Sequence, residues 1–188
     1  MDAIQILKDE HQTIKRVLDA LDGFMATQPN LRLESNKADL LSFVKFIRLY
    51  ADRIHHGKEE EILFERMVAS GFPKQAGPLA VMYHEHEQAR AFVKELNALG
   101  ERADEWSPAD RKRLVEAGRG YTELLRNHID KEDNVLYPMA IDGLNAAELA
   151  FVDERVEEYE TNEAHRSEKL GLEALASELA RKYGKQAA

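Results

Sequence analysis

An apolar residue recurs every three to four positions along nearly the whole of this chain, and no stretch alternates apolar with polar. That period is the helical one, so the expected fold class is all-α. Glycine (10) and proline (5) are few among 188 residues, and they fall mostly where the period breaks. The pattern predicts helix A over about 2–26, with Ile4, Leu7, Ile14, Leu18 and Leu21 on one stripe. Thr27 to Glu34, with Pro29, reads as a loop. Ser35 reads as the N-cap of helix B, which runs to about Val68 until Ser70-Gly71-Phe72-Pro73 ends it. Helix C spans about Pro78 to Ala103. Ser107-Pro108 starts helix D, with Asp110 adding favourable charge, and Pro138 and Gly143 break it after about Leu136. Asn145 is placed to cap a fifth helix to about Glu160, and a sixth covers 163–183, ahead of a charged tail expected to fray. Four long helices with short links imply an up-down-up-down four-helix bundle over 1–140. A C-terminal extension over 141–188 adds one or two helices packed on or beside it.

Composition narrows the chemistry. The chain has no cysteine, which excludes disulfides, thiolate-bound clusters, Cys-type zinc sites and a cysteine nucleophile. Any metal is therefore held by nitrogen and oxygen. A net charge of −9 disfavours broad nucleic-acid binding. No apolar run is long enough to span a membrane, and the opening MDAIQILKDEHQ carries acids within ten residues. The expectation is a cytoplasmic protein without membrane anchor or signal peptide.

The seven histidines are the most informative residues. Successive helical residues are ~100° apart, so positions 3, 4 or 7 apart share a face. His11 falls with Leu7, Ile14 and Leu18; His86 with Leu79, Met82, Ala89 and Val93; His128 with Tyr121, Leu124, Leu125 and Val135. On helix B, His55 lies within ~40° of Ala51 and Ile62, whereas His56 falls ~120–140° away, toward the flank. Each long helix thus aims one histidine inward. A rise of ~1.5 Å per residue puts all four at one depth to within a turn or two.

Glu59 and Glu132 follow His55 and His128 by four residues, which stacks carboxylate and imidazole on one face ~6 Å apart. Two rivals point elsewhere: Glu60 pairs with His56 on a less apolar face, and Asp133 is rotated ~140° from His128. A lone histidine on an apolar stripe is most often a core residue with a hydrogen-bond partner. Six such groups in one layer would bury two carboxylates that are costly without a cation. The set predicts a metal site. His84 and His165 lie on solvated faces. His56 stays open between a fifth nitrogen ligand and a residue at the rim. Tyr50, Tyr83, Tyr121 and Tyr137 are candidates for hydrogen bonds behind the ligands. Six or seven donors exceed what one structural zinc needs and fit two ions bridged by carboxylates.

The segments DEHQTI at His11, HHGKEEEILF at His55 to Phe64, GPLAVMYHEHEQAR around His86 and NHIDKEDNVLYPMA around His128 resemble the hemerythrin-like proteins, the HHE cation-binding domains, over about residues 1–140. The family's pattern is His, then His-x-x-x-Glu, then His, then His-x-x-x-Glu, one per helix. The resemblance implies a four-helix bundle around two iron ions with a bridging oxo or hydroxo group. Its ligands are His11, His55, Glu59, His86, His128 and Glu132, with Glu59 and Glu132 bridging. Arg90 stands where animal oxygen carriers have a further histidine, and the paired His55-His56 is common in the HHE branch. That branch is linked to O2, nitric oxide, peroxide and iron–sulfur repair. Filling two six-coordinate irons leaves about two positions open, or about one if His56 binds. The expected ligand is a small diatomic or peroxide, for sensing or stress response. The alternatives are an iron-handling or iron–sulfur repair enzyme, and a partner-binding bundle with a structural metal.

Overall fold

The computed structural model describes residues 2–27 and 33–184, with the side chains of 33–36 excepted. All the regular structure in the described residues is helical. α1 is Ala3–Thr27, α2 covers 33–69, α3 is Gly77–Gly100, α4 covers 108–143, α5 is Ala146–Thr161 and α6 is Glu163–Tyr183. α2 begins at Leu33, so Ser35 lies inside its first turn rather than before it; of the loop expected over 27–34, Thr27 and residues 33–34 are helical and 28–32 lie outside the described residues. So are the last four residues of the tail. Gly71 and Gly77 take φ of +99° and +66° in the turn between α2 and α3, a region that favours glycine.

Helix starts follow the sequence closely. The Ser107 hydroxyl accepts from the Asp110 N–H, while the Asp110 carboxylate accepts from the Ser107 N–H, a reciprocal box before Pro108. Asn145 and Glu148 do the same for α5. One expectation fails. Pro138 does not end α4, which continues to Gly143. Hydrogen bonding widens to i→i+5 over Glu132–Leu136, immediately before this proline. The looser turn accommodates a residue that lacks an N–H and whose ring would otherwise strike the carbonyl four residues back.

α1 to α4 form the bundle, each packed on its neighbours, and α6 lies along α1 and α2. Gly23 permits that approach, because a Cβ there would sit 1.9 Å from the Tyr183 carbonyl oxygen. The apolar core is divided. One cluster gathers Leu18, Phe24, Phe43, Ile54, Val93, Trp106, Leu125 and Leu172. The other gathers Leu7, Leu63, Phe64, Leu79, Met82, Leu136 and Val152. Every long helix crosses from one to the other through its histidine. No described helix is long and apolar enough to cross a membrane.

Candidate metal centre

Between the two clusters α1 places His11, α2 places His55, His56 and Glu59, α3 places His86, and α4 places His128 and Glu132. All seven are buried. They fall into two groups whose nitrogen and oxygen atoms lie within 4.8 Å of one another: His11, His55, Glu59 and Glu132, and His56, Glu59, His86 and His128. Glu59 belongs to both. Glu132 also faces both, with Oε2 3.2 Å from His11 Nε2 and Oε1 2.9 Å from His128 Nε2. His84 is exposed and His165 stacks on Tyr159; neither enters the layer.

The structure corrects the flank position of His56. Its ring is buried and stacks on His86 at 3.7 Å between centroids. Helix B therefore delivers two histidines, not one. The cause is local: α2 is widened to i→i+5 hydrogen bonding over Ile47–His56 and again over Glu59–Phe64. A wider turn advances fewer degrees per residue, so a 100° step misplaces side chains along it. Such widened turns are rare and concentrate at functional sites. Here they include His55, His56 and Glu59, and a third begins at Glu132.

Several inward-facing atoms make no hydrogen bond. His55 Nε2, Glu59 Oε2 and both Glu132 oxygens are buried without a hydrogen bond. The Nε2 atoms of His86 and His128 face each other at 2.9 Å. Burial, then the adjacent Glu132, holds the Glu59 carboxyl well above the usual carboxylate range. Burial acts on Glu132 in the same direction, but His128 and His11 outweigh it and hold that carboxyl well below the range. Burial pushes His55 down to about 4 and, with His86 beside it, His56 well below its ordinary value. Both imidazoles are thus neutral and offer lone pairs. Burial also acts to lower His128, but Glu132 raises it to about 9. A cation between the two carboxylates would favour the ionised form of both. Converging imidazoles and unpartnered carboxylate oxygens, with no thiolate, are a donor set that fits iron.

Behind the layer stands a ring of acids that the periodicity did not reveal. Glu10 of α1 binds Nδ1 of His55 on α2 at 3.0 Å, and Glu60 of α2 binds Nδ1 of His86 on α3 at 2.6 Å. Glu85 of α3 binds Nδ1 of His128 on α4 at 2.9 Å, and Asp133 of α4 binds Nδ1 of His11 on α1 at 2.8 Å. Each helix orients its neighbour's histidine, and the ring closes. Asp52 does the same for His56 within α2, at 3.4 Å. Fixing Nδ1–H on a carboxylate leaves Nε2 as the donor toward the centre and raises its basicity. Each acid is in turn matched by a cation: Lys15 on Asp133, Lys58 and Lys169 on Glu10, Lys131 on Glu85, and Arg90 on both Asp52 and Glu60. Asp133 and Glu60, set aside as ligands for facing the wrong way, are turned toward a different helix. Tyr137 donates to Glu59 Oε1 at 2.7 Å and stacks on His11. A cavity of about 300 Å³ lies against His56.

Comparison with known proteins agrees with this picture. The chain matches the family of the hemerythrin HHE cation binding domain over residues 2–140. It is similar to the iron–sulfur cluster repair protein YtfE of Musicola paradisiaca, 38% identical over 94 residues, 47% of this chain and 41% of that protein. The protein of that name from Enterobacter sp. is 32% identical over 120 residues, 60% of this chain and 53% of the relative. The one from Salmonella typhimurium is 34% identical over 97 residues, 47% and 41%. The chain thus spans about half the length of the curated relatives it matches. No solved structure matches it.

Proposed function

The chain belongs to the hemerythrin HHE cation-binding domain family, and on that premise we propose that it holds two iron ions and binds O2, nitric oxide or peroxide at them, in sensing or stress response. One observation carries the reading: two groups of buried donors share Glu59, and four atoms of the layer, His55 Nε2, Glu59 Oε2 and both Glu132 oxygens, are buried without a hydrogen bond. His11 and His55 would serve one iron and His56, His86 and His128 the other, with Glu59 and Glu132 between them. Iron bound there would supply reversible redox change and open positions for a small ligand.

The protein's own residues do the rest. The acid ring holds each imidazole in the tautomer that presents Nε2. The Tyr137 hydroxyl holds Glu59 by its second oxygen. Apolar clusters above and below keep bulk water from the layer.

A second reading, iron handling or iron–sulfur repair, is favoured by the similarity to proteins named for that repair. A single experiment addresses both. Protein purified without oxygen is analysed for metal, then its optical spectrum is followed as O2 or NO is added. The proposal expects about two irons per chain and a saturable spectral change. One zinc with no iron would overturn it. Transfer of iron to an acceptor without a stable ligand complex would favour repair.

A further inference from the structure

The family match ends at residue 140, yet two charged side chains beyond it reach the back of the metal layer. On α6, Lys169, Leu172, Ala176 and Leu179 follow one another by three or four residues, so they share a face. The last three are buried in the core cluster that also holds Leu18 and Phe24. That packing carries Lys169 inward, and its side chain is only 17% exposed. On α5, Val152, Val156 and Glu160 share a face in the same way, and both valines are buried. The two stripes bring Glu160 and Lys169 together across the link at Asn162, 2.7 Å apart.

Both then join Glu10. Its Oε2 faces Nδ1 of His55 at 3.0 Å, while its Oε1 takes Lys58 and, at 2.7 Å, Lys169. Glu160 offers Oε1 to Lys58 and Oε2 to Lys169. Two carboxylates and two ammonium groups thus alternate in a closed ring, with His55 attached at one corner. Glu10 and Lys58 are buried, so charges in this ring act on one another with little screening. A carboxylate that accepts Nδ1–H makes the imidazole a stronger donor at Nε2, and more so the less its own charge is compensated.

We infer that Lys169 and Glu160 are positioning residues of the metal centre, acting through Glu10 to set how strongly His55 donates. Without Lys169 the charge on Glu10 is less compensated, and His55 becomes the stronger donor. Without the charge of Glu160 both lysines act on Glu10 alone, and His55 becomes the weaker one. The C-terminal helices are in this sense a working part of the centre and not a cover beside it. The consequence for iron rests on the proposed function; the consequence for His55 does not.

The test uses the full chain, both iron-loaded and metal-free. In the loaded protein, Lys169→Met is expected to lower the reduction potential of one iron by about 59 mV, a tenfold shift of a one-electron couple toward the ferric form. Glu160→Gln is expected to raise it by a similar amount. Lys182→Met is the control, because it breaks an ion pair between α6 and Asp39 of α2 at 2.7 Å without touching Glu10, and it is expected to leave the potential as it was. In the metal-free protein, the Nδ1–H proton of His55 is followed by NMR. A stronger acceptor moves that resonance downfield, so Lys169→Met is expected to shift it downfield, Glu160→Gln upfield and Lys182→Met not at all. Loosening of α6 would move both variants the same way. Shifts of one sign in both variants, no shift in either, or an equal shift in Lys182→Met overturns the inference. Should the chain hold no iron, the resonance of His55 still decides the matter, and that failure belongs to the iron reading.

Discussion

His55 and His56 are adjacent in sequence, yet their outer faces end in opposite surroundings. His55 rests on Glu10, which is buried and gripped by Lys58 and by Lys169 at 2.7 Å. Both lysines also reach Glu160, so a charge network with Glu10 and Lys58 at its buried end ties α1 and α2 to α5 and α6, beside a groove lined by Glu10, Glu160 and Lys169. His56 rests on Asp52, held by Arg90, and both of those side chains are about one-third exposed beside the cavity. On the His55 side Glu10 and Lys58 are buried, which makes either costly to remove. The open side is built from pairs that solvent can replace, and so it can admit a ligand. On the proposed reading, the His55 group would chiefly hold metal and the His56 group would give access to it.

Four experiments can break or sharpen that contrast. The largest effect is expected at Glu59, the residue common to both groups: Glu59→Ala should lose most of the iron from both sides, measured as iron per chain. Selective loss from one side would show that the groups do not share it. Next, His86→Ala should deplete the open group while His84→Ala leaves iron content as it was, because only His86 enters the layer. Equal losses would contradict the register of α3.

Third, Glu10→Ala removes the buried carboxylate that Lys58 and His55 share and leaves Lys58 only the part-exposed Glu160, so it should cost about 3 kcal/mol in urea unfolding of the metal-free chain. Asp52→Ala should cost about 1 kcal/mol or less, since Arg90 keeps Glu60 and Glu87. Similar losses would erase the distinction between the two sides. The smallest effect on metal is expected from His56→Ala. Iron should stay, held by the remaining residues, while azide or NO binding changes in stoichiometry or spectrum. A resting and ligand-bound spectrum identical to wild type would place His56 at the rim and not at the metal.

The sequence went far because its signals are local. Apolar period, Ser107-Pro108, Asn145 and the break at Ser70-Gly71 locate the helices within a few residues, since caps and turn residues act on the backbone beside them. The same arithmetic selected His11, His55, Glu59, His86, His128 and Glu132, which the fold brings into one layer. Each lies on a regular stripe, and the four stripes meet at one depth.

What sequence arithmetic misread has a common physical origin. A fixed 100° step sends His56 to the flank, but hydrogen bonding widened over Ile47–His56 turns it inward. The same widening over Glu132–Leu136 carries α4 through Pro138. The acid ring was invisible because each carboxylate serves a histidine on the next helix, and separation along the chain says nothing about which way two neighbouring helices are rotated. Glu10 and Lys169 are 159 positions apart in the numbering and 2.7 Å apart in the fold. The sequence by itself determined the helices and the layer of donors, because helical periodicity is set by backbone geometry residue by residue. The tertiary structure decided which histidine borders a cavity, which acid holds which ring, and which side the C-terminal helices pack on, because those depend on how packed helices register against one another.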